Sequence, residues 1–294
     1  MLLKHMQSTS KLVMVRPDYF GPNNQTASSN VFQTNSGHID KCKDEWIQMR
    51  DTLSNAGLDI IEFDALQNAP DAIFPNWFAT FANGSMDLFS MESLNRQIER
   101  NNPSLTKLLD AYSIEIDYAK EQANGIALES TSSLVLDRKN KIAFCSISTR
   151  SNKDLAEDWA FKRGYQCITF HSYFKNQPIY HTNVVMWIGT NIVGICPDVI
   201  DTKDRDLVLS SIPSNKEIMR FTKTQLEAYC GNMLEIRNKD NQLMLIMSKT
   251  ACQTLTVDQR RVLDNHYSKL LVIDLHNIEK IGGGSARCMV QELY

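Results

Sequence analysis

One arrangement of elements recurs along this 294-residue chain: two short strands joined by a turn, then a helix, then a third strand, at a period near fifty residues. Alternating apolar text with turn residues marks paired strands at 76–91, at 128–136 and 141–147, at 182–188 and 192–196, and at 232–236 and 242–247. A helix stripe runs through Ile39, Cys42, Trp46, Met49 and Leu53, with Gly57 as its stop. Further helices are expected at 93–100, 104–112, 151–163 and 204–211. Another starts at Thr256, where Gln259 completes a capping box. Third strands are expected at 58–63, 114–118, 165–170, 218–221 and 270–275. Between 18 and 33 the text is rich in Asn, Ser, Gly and Pro and reads as a long loop. Units of this kind bury their apolar faces on one another. Five copies fit if the strand at 11–16, which Pro17 terminates, completes a unit begun at the other end of the chain. The expected fold class is α/β, in a single domain over 1–294, with residues 1–10 as a loose leader.

The repeat brings polar residues into phase. Asn76, Glu129, His181, Asn232 and Cys288 follow at intervals of 53, 52, 51 and 56 residues, each at or just before the first strand of its unit. In a closed ring such positions converge on the axis. A carboxylate, an imidazole and a thiol would then meet with no local motif, a set suited to a nucleophile with a general acid/base and an orienting partner. Each has a plainer reading taken alone: Glu129 as a turn cap, His181 as a core histidine, Asn232 as a turn residue, Asn76 as part of a packed loop, Cys288 as a small buried hydrophobe. Three glycines, 282–284, precede Ser285, Ala286, Arg287 and Cys288. Glycine admits close backbone approach, and a neighbouring cation such as Arg287 lowers a thiol's pKa.

Composition excludes several classes. A net charge of −3 makes no electrostatic case for nucleic acid or an anionic membrane surface, and no apolar run is long enough to span a bilayer. The seven cysteines are scattered and none forms C-x-x-C, so neither a metal site nor a disulfide framework is indicated. The expectation is a cytoplasmic protein with free thiols.

Seven segments, MVRPDYFGPNNQTASSNVFQ (14–33), PDAIFPNWF (70–78), NRQIER (95–100), LESTSSLVLD (128–137), YHTNV (180–184), CGNMLE (230–235) and GGGSARCM (282–289), together resemble the amidinotransferase-like citrulline-utilization hydrolases. These are guanidine-modifying enzymes related to arginine deiminases and dimethylarginine hydrolases. The resemblance implies the pentein α/β-propeller, five ββαβ units around a pseudo-fivefold axis. It implies Cys288 as nucleophile, His181 as general acid/base and Glu129 as acidic partner. Asp71, Asn76, Asn183 and Arg287 would then bind substrate. The implied reaction converts a guanidino substrate to a ureido product through a cysteine thiouronium, with no metal or organic cofactor. An amidinotransferase, or a non-catalytic pentein binding protein, are the alternatives. The implied partner is a small guanidino molecule; oligomeric state is left open, a homodimer included. Three positions depart from the family pattern. Ser130 and Ser133 stand where glycines are usual, which could narrow the pocket. Asn76 stands where two asparagines are common. Asn183 replaces an aspartate of the arginine deiminases, which leaves free arginine unassured as substrate.

Overall fold

Five three-stranded sheets of one design make up the mixed α/β fold. In each, two strands pair antiparallel and the second pairs parallel with a third. The structure is a computed structural model describing residues 6–34 and 36–294. Phe78–Phe81, Ser85–Leu88 and Ser113–Asp117 form one sheet, and Leu134–Asp137, Ile142–Ser146 and Gln166–Phe170 the next. Met186–Ile188, Ile192–Ile195 and Glu217–Arg220 form another. Leu234–Arg237, Leu243–Ser248 and Lys269–Ile273 follow. The remaining sheet joins distant parts of the chain. Gln291–Leu293 pairs antiparallel with Lys11–Val15, which pairs parallel with Asp59–Phe63. A parallel pair needs a crossover, supplied here by the helices Ile39–Asn55, Lys153–Arg163, Thr202–Ser210 and Val257–His266. Between 94 and 109 it is only a series of short helical turns.

Local chemistry accounts for the helix limits. Cys42, Trp46, Met49 and Leu53 form the buried face of Ile39–Asn55. Gly164 adopts a left-handed conformation that ends Lys153–Arg163. The capping box of Thr256 and Gln259 forms as expected. A second one, Thr222 with Gln225, opens the helix Lys223–Glu227, which the apolar pattern did not reveal. The loop over 18–33 contains the short helix Asn24–Ala27.

Three expectations are corrected. The strand expected over 128–136 begins at Leu134, and that over 182–188 begins at Met186; helical turns Ser130–Ser133 and Thr182–Val185 precede them. Hydroxyls outcompete the ladder at both places. Ser133 Oγ accepts from the Glu129 N–H and donates to the Arg150 carbonyl. Thr182 Oγ1 accepts from the Ser146 N–H and donates to the Ser133 carbonyl. The third correction concerns the leader. Residues 1–5 lie outside the described residues, but Gln7 and Ser8 are buried rather than loose. The Gln7 side chain donates to the Leu136 and Ile188 carbonyls and accepts from the Arg138 N–H, bridging two sheets.

Candidate active site

Glu129 and His181 occupy the position just before each of the two helical turns, and the turns lie side by side. Their side chains meet: His181 Nε2 lies 2.7 Å from Glu129 Oε2, with both residues buried. Glu129 Oε1 accepts the Glu92 N–H at 3.1 Å. Burial opposes ionisation of Glu129. The His181 hydrogen bond and the nearby Arg150 and Arg96 outweigh it and hold the carboxyl at about 2. Burial lowers His181 to about 4; Glu129 works against that shift, while Arg150 and Arg96 add to it. At neutral pH the pair is therefore a carboxylate and a neutral imidazole. A carboxylate can only accept, so Nε2 carries the ring proton and Nδ1 keeps its lone pair.

Cys288 follows the helix His276–Gly282. Its N–H reaches the Ser285 carbonyl and Asn232 Oδ1. Asn232 Nδ2 donates to Sγ at 3.1 Å, and Asn183 Nδ2 lies 3.7 Å from it. The thiol is buried, and burial raises its pKa, against the opposing pull of these donors and of Arg287. The glycine run explains how the thiol is reached. Gly283 has φ +63, and a Cβ on Gly282 would lie 2.6 Å from the Phe74 ring. Phe74 thus packs directly against the backbone leading to Cys288.

A pocket that takes in about 280 Å³ of space, open solvent included, brings Cys288, His181, Asp71, Asn76, Arg96 and Arg150 together. Asp71 Oδ2 accepts from Asn23 and Thr26, while its buried Oδ1 has no partner in the structure. Burial raises the Asp71 carboxyl against the pull of Arg96 and Arg150. Asn76 Oδ1 accepts from Arg96 Nη2 at 2.6 Å. Asn183 lies behind the thiol, tied to Ser132 Oγ, and does not line this cavity. Arg287 is not brought to it. Its guanidinium points to the Val290 carbonyl, Thr131 and Glu292, because a buried cation needs those acceptors more than a thiol does. The expected lowering of the thiol pKa by Arg287 is correspondingly overridden by burial. The hydroxyls of Ser130 and Ser133 turn to the Phe78 and Arg150 carbonyls, so neither narrows the cavity.

Sequence reasoning assigned no role to Arg96 or Arg150. Arg96 forms an ion pair with Glu99 at 2.8 Å, and Arg96 and Arg150 approach Glu129 to 3.8 and 4.0 Å. The phasing could not find them, since it follows positions before first strands. Arg150 comes after a second strand, and Arg96 lies in the irregular crossover. Among the described residues, no group of three or more His, Cys, Asp or Glu side chains could hold a metal ion.

A thiol, a carboxylate-paired imidazole and a carboxylate with one unpartnered oxygen share one pocket on sheets of this design, the kind of site expected of the guanidine-modifying class. Residues 16–294 match the family described as N,N dimethylarginine dimethylhydrolase, eukaryotic, and the chain belongs to it. Solved structures share the fold at low identity. ArgZ, an arginine dihydrolase from the ornithine-ammonia cycle in cyanobacteria, superposes with a TM-score of 0.77 at 14% identity, covering 96% of this chain and 40% of that one. The N-terminal domain of ArgZ, solved as a cysteine-to-serine mutant bound to substrate, also gives 0.77 at 14% identity and is covered to 98%. DDAH from Pseudomonas aeruginosa, a cysteine-to-serine mutant complexed with citrulline, gives 0.69 at 13% identity, covering 98% of this chain and 99% of that one. This chain spans less than half of full-length ArgZ. No curated protein sequence matches it.

Proposed function

We propose that this chain hydrolyses the guanidino group of an arginine-type substrate, with N-methylated arginines the first candidates, to a ureido product. Its family membership supports the class, and one observation carries the chemistry. Cys288, His181 and the unpartnered oxygen of Asp71 face a single cavity from three distant parts of the chain. Asp71 would hold the guanidinium, Phe74 supplies an apolar wall for N-methyl groups, and Asn76 steadies Arg96. Arg96 and Arg150 balance the two carboxylates and give the substrate's own carboxylate a partner.

The buried thiol keeps its proton until a cation arrives. The guanidinium then favours the thiolate, and the proton passes to His181. Sulfur bonds to the guanidinium carbon. The carbon–nitrogen bond to the leaving amine breaks as His181 returns the proton to that nitrogen, leaving a thiouronium on Cys288. Water attacks the same carbon and gives a proton to His181. The carbon–sulfur bond breaks, the thiol is re-formed, and the remaining proton goes to the released amine. Asn232 and Asn183 stabilise negative charge on sulfur. Glu129 orients the imidazole and favours its protonated form in both steps.

We also read the five sheets as blades around one pseudo-fivefold axis, in a single domain. Five sheets of identical pairing order support this. Free cysteines at all seven positions support a reducing, cytoplasmic setting; among the described residues no helix is long and apolar enough to cross a membrane.

The test is a screen of arginine, N-methylated arginines, agmatine and peptidyl arginine with colorimetric ureido detection, on wild type and on Cys288→Ser and Cys288→Ala. Ureido formation by wild type alone, with both variants folded, is the expected result. Normal turnover in either variant removes Cys288 as nucleophile. A haloacetamidine reagent should label Cys288 alone among the seven cysteines; labelling spread evenly over them contradicts an activated thiol.

A further inference from the structure

A second cleft lies on the rim between two neighbouring sheets and shares no residue with the Cys288 cavity. It takes in about 990 Å³ of space, open solvent included, and four cations line it: Arg138, Lys141, Lys162 and Arg163. Among the described residues of its lining, Glu115 carries the one side-chain carboxylate. Arg163 is matched by Asp87 and Glu115, and Lys162 by Asp158 at 2.6 Å. Arg138 and Lys141 have no carboxylate within ion-pair distance among the described residues. Arg138 is 7% exposed, and its Nη2 is buried with no hydrogen-bond partner. Burial opposes the Arg138 charge and the nearby Tyr294 and Glu292 outweigh it, but Nη2 itself still lacks an acceptor, which an anion would supply. Lys141, at the turn beside it, is half-buried. Burial and then repulsion from Arg138 and Arg163 lower its pKa, a sign of excess positive charge in the cleft.

The geometry points to a phosphate-binding site, in which Arg138 and Lys141 take the dianion of free phosphate or of a phosphomonoester. Two unmatched cations suit a dianion. The aromatic faces argue against a stacked nucleobase, because cations already cover them. Arg138 lies 3.8 Å from the Tyr294 ring centre, Lys141 4.4 Å from that of Tyr165 and Arg163 4.2 Å from that of Phe81. The stacking also fixes the Arg138 fork, so little freedom is lost when it binds.

Calorimetric titration of the intact chain tests this, with inorganic phosphate and glycerol phosphate as ligands and chloride at matched ionic strength as the control. One saturable site for either phosphate is expected, weakened at least about tenfold in Lys141→Gln and in Arg138→Gln. Tighter binding of the ester assigns the site to an esterified phosphate, and tighter binding of the inorganic ion to free phosphate. Because Arg138 is buried, its variant counts only if it unfolds cooperatively. Lys141→Gln carries the test without it. Absence of saturable binding up to about 10 mM phosphate, or unchanged affinity in Lys141→Gln, overturns the assignment. The readout is independent of guanidine hydrolysis, so its failure leaves the reading of the Cys288 cavity untouched.

Discussion

Glu129 and His181 are two acids whose protonated forms the fold disfavours, and this sets how the protein responds to acid. Unfolded, His181 takes a proton near 6.5; folded, it holds off until about 4. Between these values the unfolded chain binds the extra proton, so stability falls by about 3 kcal/mol as pH drops from 6.5 to 4. The ionised Glu129 contributes stability that is fully present above its unfolded value of 4.5 and is lost as pH falls through about 2. Urea unfolding at pH 7, 5.5 and 4 should show a falling midpoint, and a flat profile would contradict a buried neutral imidazole. Glu129→Gln leaves Arg150 and His181 facing a neutral amide, while Arg96 keeps its pairing with Glu99. A loss of about 3 kcal/mol is expected, measured by the same titration at pH 7. Ser130 is a different case. It sits at φ +47, where a glycine is at ease, and its hydroxyl donates to the Phe78 carbonyl. Ser130→Gly relieves strain but forfeits that bond, so its net effect should stay within about 1 kcal/mol, while a β-branched Ser130→Val should be clearly destabilising.

At the level of elements, the two short helical turns decide where chemistry can occur. They lift Glu129 and His181 off the strand ends and set them face to face. The Thr182–Val185 turn in turn depends on Gly231: a Cβ there would lie 1.8 Å from the Val184 carbonyl oxygen. Gly231→Ala must therefore push the turn aside, at a cost in the upper part of the roughly 1–3 kcal/mol typical of overpacking. If thermal unfolding of this variant matched wild type, the close approach would be disproved. The turns also show what a sequence can and cannot convey. Strand, helix and turn periodicity placed the five repeats, and their phase placed Glu129, His181, Asn232 and Cys288. Where serine and threonine hydroxyls bind backbone across the sequence, as Thr182 does to Ser133, the same residues read as strand. Arg96 and Arg150 stayed hidden because their direction depends on partners far away, such as Phe74, Thr26 and Ser29. Arg287 was misread for the same reason, since adjacency to Cys288 in sequence says nothing about where a long side chain finds acceptors.

The whole molecule divides its charges between two places. One is the Cys288 pocket, where cations and carboxylates nearly balance around a neutral thiol. The other is an open rim cleft with cations to spare. Four buried apolar clusters lie among the sheets, and the one that holds Leu12 and Met14 also holds Met289 and Val290. The sheet built from Gln291–Leu293, Lys11–Val15 and Asp59–Phe63 thus brings the beginning and the end of the described chain into one hydrogen-bonded ladder. Covalent order is consequently separable from spatial order. A circular permutant that links residue 294 to residue 6 through a short flexible spacer and opens at the exposed turn 239–241 keeps every ladder described above. It should fold with the circular dichroism spectrum of the parent and keep selective labelling at Cys288. A permutant opened inside Ile142–Ser146, which cuts the central strand of a sheet, should not.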